Sequence, residues 1–316
     1  MSTYLKYRPA WMQLLIFASL TIGIFLVVSF VAVLIISRIF NLSPTDFEEM
    51  NLLRPDVVSG IKALQAVSSI ALFLLPSLVF AYLSDANPLK YIGFKKPIPA
   101  GFFLIALVII LASFPMVAWL SEMNQHMHLP KSMQATEKML RDAEDKSNDL
   151  LRTLLNMKSA ADLVLMLLIL AVLPAVAEEL FFRGVLQRLL IQIIKRPWIG
   201  IIITSALFSA LHGQFLGFFP RMVLGIVLGA LYWYSGSLWP GILAHFINNA
   251  LQIIMVYYNP QFAEKDPNFA VWLIAASTFL VIALTWWMQK ISQTSFAEVY
   301  DTDDDFPIGP RDQYIA

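Results

Sequence analysis

The 316-residue sequence is 58% hydrophobic and 14% charged, balances its acidic and basic side chains to a formal net charge of zero, and contains no cysteine. These values exclude an ordinary soluble domain, disulfides, thiol catalysis, cysteine-ligated metal and any general attraction to nucleic acid. They favour an all-α polytopic membrane protein, in which each helix crosses about 30 Å of hydrocarbon with about 20 apolar residues.

In chain order, apolar segments fall near 12–37, 58–83, 100–120, 160–182, 198–219, 221–235, 238–258 and 270–288, an expectation of about eight transmembrane helices around a polar cavity. The first, from Trp11 to Ile36, exceeds the length of a signal-peptide core and reads as the first span of the mature protein. Gly225 and Gly229 in the sixth form a small-xxx-small pair suited to close helix packing. That segment is short and runs into the next through Gly236, Pro240 and Gly241. Four regions follow: 1–99 with two helices and loops, 100–159 with the third helix and a connector, 160–290 as the core, and 291–316 as an acidic tail that reads as disordered. The connector sets Met133, Met139, Leu150 and Leu154 among charges. This pattern suits an amphipathic helix on the membrane surface and a solvated helical connector equally well. Lys6 and Arg8, then Lys90, Lys95 and Lys96, then Arg188, Lys195 and Arg196 occupy short loops that lysine and arginine hold to the cytoplasm, and an even number of spans places both termini there.

Polar residues in this apolar setting need a reason. A carboxylate at the bilayer centre costs at least about 2.5 to 3.5 kcal/mol, and Glu178 and Glu179 are adjacent. Glu179 has Arg183 four residues on, acid first, the better order for an ion pair on one helix. Glu178 points about 100° away, and Pro174 removes a backbone donor just before the pair. Two solvated glutamates at the end of a span would look the same. The histidines shift the balance: His126 and His128 lie in the connector, but His212 and His245 fall within apolar segments, expected at membrane depth. Phe208 lies one turn before His212 and Asn249 one turn after His245, each able to orient its histidine, with Asn248 the less favoured alternative to Asn249. Glutamate, histidine and asparagine together supply a base for water and donors for a developing oxyanion. Ser209 shares a helix face with His212, a poor geometry for nucleophilic attack.

The ordered set Glu178-Glu179-x-x-x-Arg183, Phe208-x-x-x-His212 and His245-x-x-x-Asn249 resembles the CPBP intramembrane proteases, also called the CAAX prenyl protease type 2 or Abi family, over residues 160–258. The resemblance implies an eight-helix protease with a conical cavity open to the cytosol. It implies Glu178 as the general base, His212 holding the attacked water, Glu179 and Arg183 as a supporting ion pair, and His245 and Asn249 as oxyanion donors. A divalent metal such as zinc, on Glu178, His212 and His245, stays open beside a metal-free mechanism, although the His-Glu-x-x-His zinc helix is absent. The implied partners are an apolar or prenylated peptide or a membrane-protein substrate, together with membrane lipid and no nucleic acid, in a prokaryotic plasma membrane. Two other readings remain: an immunity-type or scaffold membrane protein without catalysis, and a proton-coupled transporter, for which the expected repeat of broken helices is not found.

Overall fold

A computed structural model describes all residues except 1–4, 6, 44, 47–51, 95–97, 99, 264–267, 293 and 295–316. Lys6, Lys95, Lys96 and most of the acidic tail therefore lie outside the described residues. Among the described residues every regular element is helical, as a chain that must satisfy its own backbone in lipid requires. The main helices are α1 (Ala10–Phe40), α2 (Pro55–Ser84), α3 (Ala100–Gln125), α4 (Gln134–Leu154), α5 (Ala160–Ile194), α6 (Pro197–Ala210), α7 (Phe218–Ser235), α8 (Leu238–Tyr258) and α9 (Val271–Ile291).

Six of these segments, α1, α2, α3, α5, α7 with its leading turn, and α9, are long and apolar enough to cross a membrane. The chain is an integral membrane protein. The other two expected spans differ for physical reasons. With 14 residues, α6 is about 21 Å long and falls short of the hydrocarbon thickness. It stops because Gly213 adopts φ +67° in the turn that follows. Helix α8 has 21 residues, but His245, Asn248, Asn249 and Gln252 dilute its apolar character.

The chain runs back and forth between two ends of the bundle. At one end the segment before α1 meets the end of α2 through Leu5 N–H to Leu83 O, 3.2 Å, and the start of α8 meets the loop after α2 through Leu238 N–H to Gly93 O, 3.0 Å. Arg188, near the end of α5, reaches Tyr91 O at 2.8 Å, and Ser292 after α9 reaches Tyr234 O at 2.8 Å. The other end gathers the end of α3, all of α4, the start of α5, the end of α6 and the start of α7. There Asn124 donates to Phe215 O and accepts from Phe219 N–H, and Glu144 of α4 accepts from Leu216 N–H at 2.8 Å.

Two apolar clusters hold the bundle. The larger is built on the buried aromatics Trp233, Tyr232, Phe182, Phe102 and Phe80, and the smaller joins Val57, Leu154, Met166, Ala250 and Ile253. Leu15, Ile22, Leu26 and Phe30 of α1 point outward, where hydrocarbon rather than protein covers them. The glycine pair works as packing: a Cβ at Gly225 would meet Ser205 of α6 at 2.9 Å, and one at Gly229 would meet Gln187 Oε1 of α5 at 2.7 Å. The stripe on α4 divides. Leu150 and Leu154, with Leu155 just beyond, pack on the smaller cluster, whereas Met133 and Met139 stay exposed.

Candidate active site

The site begins with the irregular course of α5. Two wider, π-type turns, Leu168–Val172 and Leu180–Gln187, flank the short α-helical stretch Leu173–Glu179 that carries both glutamates. Such turns are frequent at functional sites because they re-aim side chains without breaking a helix. Pro174 cannot donate to the Leu170 carbonyl four residues back, and Asn249 of α8 donates its Nδ2 to that carbonyl at 3.3 Å. Asp162, the one charge early in this apolar run, closes a capping box with Ser159 at the start of the helix.

Glu179 is the structural member of the pair. Its side chain is 0% exposed and that of Arg183 1%, so neither ion is stabilised by water and each must be paired within the protein. Glu179 Oε1 accepts from Arg183 Nη1 at 2.7 Å and from His245 Nδ1 at 3.0 Å. Arg183 also donates Nη2 to Gly225 O at 3.1 Å and lies 4.8 Å from the centre of the Phe208 ring. One carboxylate thus ties α5, α7 and α8 together. Gly241 makes room for it, since a Cβ there would lie 3.1 Å from Glu179 Oε2.

Glu178 faces a different surface. It lines a cavity of about 520 Å³ together with Phe208, His212, His245, Asn249 and Arg221. Its Oε2 is buried and has no hydrogen-bond partner among the described residues; His245 Nε2 lies 3.8 Å from it. Because Nδ1 of His245 is committed to Glu179, Nε2 is the ring nitrogen presented toward Glu178 and the cavity.

His212 departs from its expected place. It lies in the turn after α6 rather than within a membrane-depth helix, and is exposed to the cavity. The last carbonyls of a helix lack internal partners, and His212 Nδ1 caps that of Phe208 at 2.8 Å. A carbonyl only accepts, so Nδ1 carries the hydrogen and Nε2 of the neutral ring is an acceptor. The Phe208 ring packs edge-on against both histidines, with centroids 4.9 Å from His212 and 6.0 Å from His245.

Asn249 is fixed at both ends of its amide. Its oxygen accepts from Asn248 Nδ2 at 3.1 Å, and its nitrogen donates to Leu170 O, which leaves a second N–H for the cavity. Ser209 is committed elsewhere, donating to Phe218 O at 2.6 Å. His128 lies in the connector, bonded to Glu137 at 2.8 Å. Glu178, His212 and His245 share the cavity wall, yet no group of three His, Asp or Glu side chains among the described residues is arranged to hold a metal ion. The side chains as placed do not fit a three-ligand zinc centre.

Sequence reasoning missed four contributors. Gln187 sits one turn after Arg183 and repeats its pattern, donating to Gly229 O at 3.2 Å as Arg183 does to Gly225 O; the four-residue spacings 183–187 and 225–229 carried that signal. Arg221 lies on the cavity wall and is bonded to Gln214. As a lone charge between two apolar segments it was open to notice. Gly241 and Glu144 gave no sign, because their importance depends on contacts far along the chain.

Residues 160–251, the stretch that contains Glu178, His212, His245 and Asn249, match the family model described as type II CAAX prenyl endopeptidase Rce1-like. The match covers the part of the bundle that carries both glutamates and both cavity histidines. Among curated proteins the chain is similar to the uncharacterized protein YpbD of Bacillus subtilis (strain 168), at 35% identity over 89 residues, 27% of this chain and 42% of that protein. The chain thus spans less than half the length of the relative it matches. No solved structure matches it.

Proposed function

We propose that the protein is an intramembrane endopeptidase that hydrolyses a peptide bond in an apolar, lipid-modified or membrane-anchored substrate with a water activated by Glu178. One observation carries this reading: a buried carboxylate oxygen with no hydrogen-bond partner among the described residues lines the same cavity as two histidines whose Nδ1 atoms are already committed. The Rce1-like family match and the description of that family as prenyl endopeptidases support it.

The chemistry follows from which atoms remain free. A water that donates one hydrogen to Glu178 and the other to His212 Nε2 presents its lone pair to a carbonyl carbon in the cavity. As the oxygen–carbon bond forms, Glu178 takes the proton. The carbonyl oxygen becomes negative and is met by the remaining N–H of Asn249, with the Nε2 edge of His245 on the same cavity wall. Collapse breaks the carbon–nitrogen bond, and the Glu178 proton passes to the departing amine. Glu179 and Arg183 hold His245 and the helix in register throughout.

The test uses purified protein in nanodiscs and a farnesylated peptide, with products read by mass spectrometry. Glu178→Gln keeps the size and polarity of the side chain and removes the base, so cleavage falls by at least about 10²-fold, the usual contribution of a general base, while the thermal unfolding midpoint is unchanged. His212→Ala lowers turnover similarly. Retained cleavage in Glu178→Gln overturns the mechanism. Because the donors do not fit a three-ligand metal site, dialysis against a strong chelator leaves the rate unchanged; loss of activity restored by zinc contradicts this.

A further inference from the structure

Arg221 brings a positive charge to the cavity wall without a carboxylate bonded to it. It stands in the first turn of α7, beside Gly217 and Pro220, on the wall that also holds Glu178 and His212. Its Nη2 donates to Gln214 Oε1 and its Nη1 to Gln214 O at 3.4 Å, and both acceptors are neutral. A guanidinium carries five N–H donors, so three of them remain for the cavity. Several other arginines end on acids: Arg183 on Glu179, Arg54 on Asp46 and Asp56, and Arg141 on Glu137. Arg152, which reaches the mouth of the cavity from α4, is bonded to Asp149 at 3.3 Å.

The acids whose charge acts on Arg221 are Glu144 and Glu178, and neither is bonded to it among the described residues. Glu144 accepts from Leu216 N–H instead, at 2.8 Å. The turn before α7 is shaped around the guanidinium, since a Cβ on Gly217 would lie 2.7 Å from Arg221 Cζ. That contact sets the head group level with Gly217, eight residues before Gly225, whose carbonyl receives Arg183. Eight residues of helix rise about 12 Å, the span of about three to four residues of extended chain.

We propose that Arg221 is a specificity-determining residue, an anion subsite that pairs with a carboxylate of the bound peptide a few residues from the bond presented to Glu178. The planar fork of arginine matches a carboxylate through two parallel N–H donors. A chain terminus and an acidic side chain offer the same chemistry. The inference rests on the reading that the cavity takes a peptide substrate, and it does not require that the peptide be cleaved. Gln214 holds the guanidinium in place and leaves its charge unneutralised.

Three farnesylated peptides, otherwise neutral after the farnesylated residue and differing only in the last one, test this: leucine with a free carboxylate, leucine amide, and glutamic acid amide. Their affinities are read by fluorescence anisotropy on Glu178→Gln protein in nanodiscs, so that binding is measured without turnover. The expected result is that a carboxylate-bearing peptide binds about 10-fold or more tightly than leucine amide, the usual worth of hydrogen bonds to a charged group. Preference for the first peptide identifies the chain terminus as the source, and preference for the third identifies a side chain. Adding Arg221→Gln removes the preference, and Arg221→Lys, which keeps the charge without the fork, retains part of it. Equal affinities for the three peptides, a preference that survives Arg221→Gln, or an equal weakening of all three by that change overturns the proposal. Cleavage by the wild-type chain is scored separately: a carboxylate preference without cleavage contradicts the protease reading and leaves the subsite standing.

Discussion

Adjacent carboxylates with opposite surroundings account for most of the site. Each has one buried oxygen without a hydrogen-bond partner among the described residues, but Glu179 is held through Oε1 by Arg183 and His245 away from solvent, whereas Glu178 faces the cavity. Removing one member of a buried ion pair leaves the other charged and unsolvated, a loss of about 3 to 5 kcal/mol. Arg183→Met is therefore expected to lower the thermal midpoint in detergent steeply. Adding Glu179→Gln to it should recover part of the loss, because the stranded charge is then gone. Equal and additive losses in the two single variants and the double variant would contradict the pairing. The Glu179–Arg183 contact was legible in the sequence because it is a four-residue helical spacing. The bond from His245 to Glu179 was not, since it joins residues on helices far apart in the chain, and the placement of His212 was missed because an apolar run conceals the turn at Gly213.

Among the elements, α5 and α4 show how local irregularity serves position. Helix α5 carries two π-type turns around the glutamates, and only Pro174 hinted at them. The glycine pair of α7 was readable as packing, but its carbonyls also receive Arg183 and Gln187, a use that only the three-dimensional arrangement reveals. For α4 the sequence left membrane surface and solvated connector level. The structure instead places part of its apolar stripe on the protein and part of the helix over the cavity mouth. At the other end of α4, the Glu137 carboxyl is held down at about 2 by hydrogen bonds from His128, then Arg141, then the Leu129 N–H. A carboxyl lowered on folding stabilises the folded form fully above its ordinary value of 4.5 and ceases to do so as the pH falls toward about 2. The mobility of a spin label on Lys138→Cys is accordingly expected to stay constant down to about pH 4.5 and to rise between there and pH 2. A transition centred near neutrality would show that Glu137 does not anchor this end.

For the whole molecule, composition and segment length made the all-helical membrane class plain. They overstated how uniform the spans are: α6 is short and α8 is polar along one side. These two irregular helices border the cavity, and the lost apolar length is where polar chemistry becomes possible inside a membrane protein. A packed scaffold would have no use for an unbonded carboxylate at the wall of a 520 Å³ cavity. The most direct measurement compares new peptide termini in membranes of cells carrying the wild-type chain with those in cells carrying Glu178→Gln at equal expression. The account predicts termini, in membrane-anchored or lipid-modified proteins, that appear with the wild type and are missing with the variant. Identical terminus maps for the two would contradict it.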